Sequence, residues 1–573
     1  MHNELHDFGT STIPVIEDFP TIDDSPRSSD CCSGSIRAQV TSSPDSKKGL
    51  IDVLLVYPIL GNWDNIVMDL PLSIIYAAAG AIKRGFRVKA IDLRCCEGDW
   101  KDALRPYLDE GVRMVGISVM TGSPLKNARE VALFVKRHSP ETKVLWGGPH
   151  CTVVPETINE PFLDFLIRGY GSAPLADLVE MVRSGKDDPS LFSNVKGLSY
   201  KVNGEAVHVP RPDDFEQLHF KEIPYHLVDV NLPRYVRSYN GHRMFSIFTS
   251  IGCPYKCTFC VSPATFKEIN GRHWLPSEDK EVVDHIEYIN KTFDVQHVCF
   301  IDDTSFPQLD RMRRIFEEIL ARNIKVTLEF RGARVNEINK MDDDFIDLMV
   351  RAGGRFLMSG VESGSDRILK SIKNGQNREM IENVNRKLAR HSEITVHYNF
   401  IYGTPHERLQ DLEETKMLQL QLVRDNPSAR IGFGGDWKPI PGTKLLEEAE
   451  RDYGFVAPKT LDDWIQMDSA DSDDKLYHSW YTPEHNRLIK LLQMGSFVID
   501  DKMIKETSSN RTLGAKLLRF LARTYKPIAL FRMKNRFYGF LIEYDIWRIF
   551  SQKIVPLLNL NSKASSTKNV RGV

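Results

Sequence analysis

The sequence contains no run approaching the ~20 consecutive apolar residues needed to cross a bilayer. Its first residues, rich in Asp, Glu, Ser and Pro, carry no apolar core of a secretory leader. Neither sign of charge is in excess: 75 Lys and Arg stand against 77 Asp and Glu, which leaves no global basic field for nucleic acid. Cysteine is sparse and uneven. The nine cysteines are an odd number, at spacings that make no disulfide framework. Together these absences point to a soluble cytoplasmic enzyme in a reducing compartment, with no nucleic-acid partner. A length of 573 residues leaves room for roughly two to four domains.

Residues 1–48 are polar, Ser-rich and without periodicity, so they bury too little apolar surface to offset the cost of ordering and read as a disordered tail. From Ile51 short apolar runs at 51–58, 87–93, 112–119, 143–148 and 162–168 alternate with helical patterns at 70–84, 99–110, 124–138 and 174–183. That succession predicts an N-terminal Rossmann-like, doubly wound parallel sheet over 49–185, with ligands at the carboxyl ends of its strands. Residues 186–242 read as a linker that contains a hairpin-like stretch turning at Asn203-Gly204. A second series follows over 243–453. Strands near 245–250, 297–301, 325–330, 356–359, 394–401 and 430–434 are separated by helical patterns. Six such repeats predict a partial (β/α)6 TIM-type barrel, its site again at the carboxyl ends of the strands. A mainly helical C-terminal region over 454–560 and a polar tail over 561–573 complete the chain. Within it, Lys516, Arg519, Arg523, Lys526, Arg532, Lys534 and Arg536 are interleaved with Leu, Phe and Tyr. A helix of that pattern can lie on an anionic membrane surface; the alternative is a helix packed on the barrel with a basic outer face.

The first barrel strand runs directly into Cys253-Pro254-Tyr255-Lys256-Cys257-Thr258-Phe259-Cys260. Three thiols within eight residues, fixed at a strand end and facing a common point, suit soft metals or iron–sulfur clusters. A structural zinc site ordinarily takes four protein ligands, and no second CxxC pair supplies the remainder, so the count suggests a cluster with one iron left open. The competing reading is a set of incidental thiols or an adventitious metal site.

The CxxxCxxC loop with an aromatic before its last Cys resembles the radical S-adenosylmethionine (SAM) superfamily. That resemblance implies that Cys253, Cys257 and Cys260 ligate a [4Fe–4S] cluster whose open iron is chelated by SAM, with electrons from a flavodoxin- or ferredoxin-type donor. It also gives the other strand ends roles. Asp302 and Asp303 would meet the SAM amino group, a carboxylate being a suitable acceptor for an ammonium. Arg331 and Arg334 are placed to meet a carboxylate. Glu362 and Ser363, in Gly360-Val361-Glu362-Ser363-Gly364-Ser365, would bind the ribose or amine, and Tyr402 lies in the turn expected to touch adenine. Pro439-Ile440-Pro441-Gly442-Thr443 matches a turn of the same branch. Each motif alone could be an ordinary turn or surface ion pair; their order at successive strand ends makes the pattern.

In the N-terminal sheet, Ser118 and Thr121 after the third strand and Gly147 and Gly148 after the fourth resemble the elements that line the nucleotide groove of cobalamin-binding domains. Small residues there let backbone approach a bulky ligand. The sequence departs from that family in three places. Met120 replaces a Leu, the DxHxxG loop that carries an axial His is absent after Val56, and Gly169-Tyr170-Gly171-Ser172 stands where GEGE is common. A Rossmann-like platform without a cofactor is the alternative. His150 could touch cobalamin or cap the following turn. The whole resembles the cobalamin-dependent radical SAM branch that includes the anaerobic magnesium-protoporphyrin ester cyclase and C-methyltransferases. It implies methylation of an unactivated carbon of a small-molecule or lipid-like substrate. The alternatives are radical cyclisation, oxidation or rearrangement without net methyl transfer, and a non-catalytic cobalamin or cluster sensor.

Overall fold

Strand β1 (Ile51–Tyr57) is buried along nearly its whole length, the mark of a strand covered on both faces. Ile51, Leu54 and Val56 enter one core while Val53 and Leu55 enter another on the opposite face. In this computed structural model, which describes residues 50–61, 69–185, 189–212, 217–236, 242–265, 273–431, 435–467, 480–500, 513–539 and 541–549, β1 lies between β2 (Val88–Asp92) and β3 (Val112–Ser118). The parallel order continues through β4 (Lys143–Gly147) and β5 (Phe165–Ile167). The strand order 2-1-3-4-5 is that of a doubly wound fold with its switch point between β1 and β3. The expected tail over 1–48 lies outside the described residues.

The hairpin expected inside the linker instead continues this sheet. Strand β6 (Leu198–Val202) pairs antiparallel with β5, and β7 (Glu205–His208) pairs with β6. Asn203 and Gly204 take the paired left-handed conformations of a two-residue hairpin turn. Burial explains the extension: Leu198, Tyr200 and Val209 join Phe165 and Phe192 in one core, and the pairing covers an edge that β5 would otherwise expose.

The second sheet is a run of six parallel strands, β8 (Met244–Ile247), β11 (His297–Phe300), β12 (Thr327–Phe330), β13 (Gly354–Glu362), β14 (Thr395–Tyr402) and β15 (Ala429–Ile431), hydrogen-bonded in that order. It is the expected partial barrel. A short antiparallel pair, β9 (Ser250–Gly252) with β10 (Trp274–Pro276), folds over its first strand, and β16 (Gly435–Asp436) extends β14. The intervening helices end as their sequences dictate. Helix Asp343–Arg351 is capped by the Asp342 carboxylate on the Phe345 N–H at 2.7 Å, carries Asp343 and Asp344 in its first turn and ends on Arg351. Helices Pro483–Ile499, Leu513–Asn535 and Ile542–Ile549 form the C-terminal region. No helix among the described residues is long and apolar enough to cross a membrane.

The two sheets share cores. Leu70, Leu72 and Ile75 pack with the barrel interior, and Ile368, Ile372, Leu445 and Leu446 pack with the N-terminal domain. A polar network reinforces the junction. Asp92 and Arg94 form an ion pair at 2.6 Å with side chains 2% and 0% exposed, and Tyr235 donates to Asp92 at 2.6 Å. Arg94 also donates to the Asp69 carbonyl at 3.0 Å. The Asp69 carboxylate pairs with Arg331 of the barrel at 2.8 Å and accepts from Ser246. Removing one member of a buried pair strands the other charge. Asp92→Ala should therefore lower unfolding stability by about 3 kcal/mol, read as a fall in denaturation midpoint; a loss under about 1 kcal/mol would contradict the role given to this pair.

Candidate active site

Strand β8 ends at Ile247, and the chain must turn before Cys253. Asp302, 3% exposed at the end of β11, makes that turn. Its carboxylate accepts from the Thr249 N–H at 2.7 Å, the Thr249 hydroxyl at 2.6 Å and the Ser250 N–H at 2.9 Å. Buried Arg311 completes the clamp by donating to the carbonyls of Thr249 at 2.8 Å and Ser277 at 3.0 Å. Desolvation pushes the Asp302 carboxyl up to about 6, and these hydrogen bonds oppose it. Both Asp302 oxygens accept from the turn, and Asp303 is the acidic residue left facing outward. Asp303 is exposed and accepts from the Ser262 hydroxyl at 3.0 Å.

The cysteine loop is anchored on both sides. Thr258 N–H donates to the Ile372 carbonyl, and Leu445 N–H donates to the Thr258 carbonyl. Phe259 packs into the core shared with the N-terminal sheet, which accounts for an aromatic before Cys260. All three thiols are half-buried. Burial pushes the Cys253 thiol up to about 12 and raises that of Cys260. Against this, Arg334 donates to Cys257 Sγ at 3.2 Å and its guanidinium lies 3.8 Å over the Tyr255 ring. Among the described residues no three His, Cys, Asp or Glu side chains converge as they would on one metal ion. A four-iron cluster is ligated at separate corners, and a set of three soft donors without a fourth suits that geometry. A buried cation against one sulfur, its Nη2 without a protein partner, suits an anionic cluster and carboxylate ligand.

The remaining barrel motifs are held by protein partners. Arg331 is spent on Glu329 at 2.9 Å and Asp69 at 2.8 Å, joining the domains rather than awaiting a ligand. Glu362 sits at φ +67 where the β13 register shifts, paired with Lys373 at 2.7 Å. Ser363 is fully buried against Thr415 at 3.2 Å. Tyr402 is fully buried with its hydroxyl bonded to Gln419, so its side chain packs the barrel. Arg331, Glu362, Ser363 and Tyr402 thus shape the strand ends through these contacts.

A cavity of about 570 Å³ opens between the two sheets. One wall is Ser118, Gly147, Gly148 and Tyr170 from the N-terminal strand ends, and the other is Phe248, Ser250, Ile251, Gly252 and Asp303. Gly148 adopts φ +117, and a Cβ there would meet the Val119 carbonyl oxygen at 2.6 Å, so only glycine serves. At Gly147 a Cβ would meet nothing nearer than 3.8 Å, leaving that backbone open to a ligand. Ser118 pairs with Ser73 at 2.8 Å. Thr121 bonds His150 Nδ1 at 3.0 Å, and His150 Nε2 reaches Thr157 at 3.3 Å. Burial holds His150 down to about 4, so it is a neutral brace for the turn. His285 lines the other wall, bonded to the Tyr225 hydroxyl at 3.0 Å, its pKa lowered to about 3. The bare glycine cradle fits a large planar cofactor, and the described lining offers no readily protonated imidazole.

A B12 binding domain model matches residues 58–179, and a radical SAM superfamily model matches residues 247–418. Over those residues the chain is similar to the radical SAM superfamily and to B12 binding domains. An uncharacterized methyltransferase of Pyrococcus horikoshii is 27% identical over 460 residues, covering 79% of this chain and 94% of the relative. The anaerobic magnesium-protoporphyrin IX monomethyl ester cyclase of Synechocystis is 24% identical over 52% of this chain and 56% of its own length. Among solved structures, the cobalamin-dependent SAM radical enzyme OxsB with aqua-cobalamin and SAM bound aligns with a TM-score of 0.65 at 19% identity, covering 92% of this chain and 82% of its own.

Sequence reasoning missed Arg311, Asp69 and Glu407. Glu407 is buried beside the Gly403 turn, where it accepts from the Gly403 N–H at 2.6 Å and Tyr481 at 3.4 Å, and its Oε1 has no partner. Desolvation pushes this carboxyl up to about 8, well above the ~4.3 of an unfolded Glu. The folded state therefore binds the extra proton between those values, and stability falls as pH rises through that window. Glu407→Gln should remove much of the decline in melting temperature between about pH 5 and 8; an unchanged pH profile would contradict a protonated Glu407.

Proposed function

We propose that the protein is a cobalamin-dependent radical SAM methyltransferase acting on an unactivated carbon of a small-molecule biosynthetic substrate. One observation carries this reading: a single cavity has the glycine cradle of the N-terminal domain on one wall and the residues leading directly into Cys253 on the other. When bound, the cluster and SAM supply hydrogen-abstracting radical chemistry and cobalamin supplies the methyl group.

The chain's own residues position and insulate that chemistry. Cys253, Cys257 and Cys260 hold the cluster, and Arg334 donates to Cys257 Sγ, placing a cation beside it. Asp303, steadied by Ser262 just beyond Cys260, offers an acceptor for the SAM ammonium at the cavity wall. Ser118, Gly147 and Gly148 cradle cobalamin, with Thr121 and His150 bracing the turn between them. Leu72, Tyr76, Ile247 and Phe248 line the cavity with apolar surface, which keeps water from a reactive radical. Tyr76 and Phe248 meet edge to face with ring centroids 5.5 Å apart, closing the seam between the domains. Electrons come from a flavodoxin- or ferredoxin-type donor, and the apolar lining suits a lipid-like substrate.

The test is anaerobic reconstitution with iron, sulfide and hydroxocobalamin, followed by incubation with SAM and a strong low-potential reductant. The wild-type protein should yield both S-adenosylhomocysteine and 5'-deoxyadenosine. Cys257→Ala should lose the cluster absorbance and the deoxyadenosine while retaining cobalamin. Gly147→Leu, which the backbone tolerates, should weaken cobalamin binding by about tenfold or more while leaving the cluster intact. Deoxyadenosine without S-adenosylhomocysteine would move the assignment to cyclisation or oxidation. Unaltered cobalamin affinity in Gly147→Leu would refute the cavity assignment.

A further inference from the structure

Helix Leu513–Asn535 packs inward through Ala522, Ala529 and Met533, all buried, against helix Pro483–Ile499. Its outward side is not the polar surface that a packed helix normally shows. Leu517, Phe520, Leu521, Ile528 and Phe531 recur at spacings of three, one, seven and three, and at 100° per residue they fall on one stripe about 100° wide. All five are exposed, Phe520 and Phe531 by 63% and 59%. Ile542 and Ile546 on the next helix are 65% and 62% exposed. Apolar exposure concentrated in this way marks an interaction surface.

The charges beside the stripe identify the partner. From Leu513 to Arg536 there are seven Lys and Arg and no Asp or Glu. Arg532 is turned inward on Glu543 at 2.7 Å, and Arg536 reaches Glu413 at 3.4 Å. Lys516, Arg523 and Lys534 are exposed and fall on one line along the helix, directly flanking the stripe on the side of Phe520 and Phe531. The inner face is thus committed to the protein, the next to cations and the outermost to large apolar side chains. An aqueous protein partner would need a matching acidic rim. An anionic lipid surface supplies both features at once, phosphate for the cations and acyl chains for the apolar stripe. We propose that this face docks the protein on anionic membranes as a peripheral, non-spanning contact.

Full-length protein is sedimented with large vesicles of phosphatidylcholine, with or without phosphatidylglycerol. Binding should require the anionic lipid and weaken at high salt. Phe520→Ser/Phe531→Ser and, separately, Lys516→Glu/Arg523→Glu/Lys534→Glu should each reduce partitioning by about tenfold. All five positions are exposed, so circular dichroism and melting temperature should be unchanged. Absence of binding to anionic vesicles, or binding that survives both variants, would overturn the proposal. So would a concentration-dependent dimer, in sedimentation velocity, that the Phe520→Ser/Phe531→Ser variant dissociates, because the face would then belong to a second copy. Vesicle binding needs neither cofactor nor turnover, so its failure would leave the methyltransferase assignment untouched.

Discussion

A buried carboxylate holds the active site in place. Asp302 turns the chain between β8 and the cysteine loop by accepting three hydrogen bonds from Thr249 and Ser250, while Arg311 grips the Thr249 carbonyl from the other side. Burying that carboxyl is unfavourable, as its raised pKa records. The cost is accepted where the backbone has to leave the sheet with a fixed direction. Downstream of the clamp, Gly252 at φ +80 aims the loop, and Phe259 seats it in a core that both sheets share. The thiols are thereby set by rigid elements rather than by a free loop, as precise chemistry requires.

The same logic governs the junction between the sheets. Asp69 accepts from the first barrel strand through Ser246 and pairs with Arg331, while its carbonyl takes a hydrogen bond from Arg94. A shift of one domain against the other would break the part-buried Asp69–Arg331 pair and the Ser246–Asp69 hydrogen bond. This lock and the shared apolar cores keep the two sets of strand ends opposed. A cofactor seated on one can then meet a radical generated at the other without an intervening layer of solvent.

Much of this was legible in the sequence, because strand ends in parallel sheets are where ligands bind and the short apolar runs marked those ends. The cysteine loop follows the first barrel strand and Gly147-Gly148 closes β4, where the apolar runs put them. The burial of the Tyr402 phenol was legible as well: Val396, Tyr398, Phe400 and Tyr402 alternate on one face of β14 and are all buried, so period-two parity already placed it in the core. Of two adjacent aspartates, the chain alone could not say which turned inward, since that depends on the donors presented by a strand 53 residues away. The Asp69–Arg331 pair spans 262 residues, beyond any local pattern. The hairpin at 198–208 showed its turn but not its partner, because edge pairing is decided by which strand lacks a neighbour.

The central claim is that cobalamin in the cavity and the iron–sulfur cluster on the loop leading out of its wall lie close together. Pulsed electron paramagnetic resonance on the doubly loaded protein, with cob(II)alamin and the cluster both reduced to paramagnetic states, tests it directly. Spectra showing a resolved dipolar interaction between the two centres, lost when Cys257→Ala removes the cluster, are the predicted result. Two independent signals that simply add would contradict it and separate the cofactor sites.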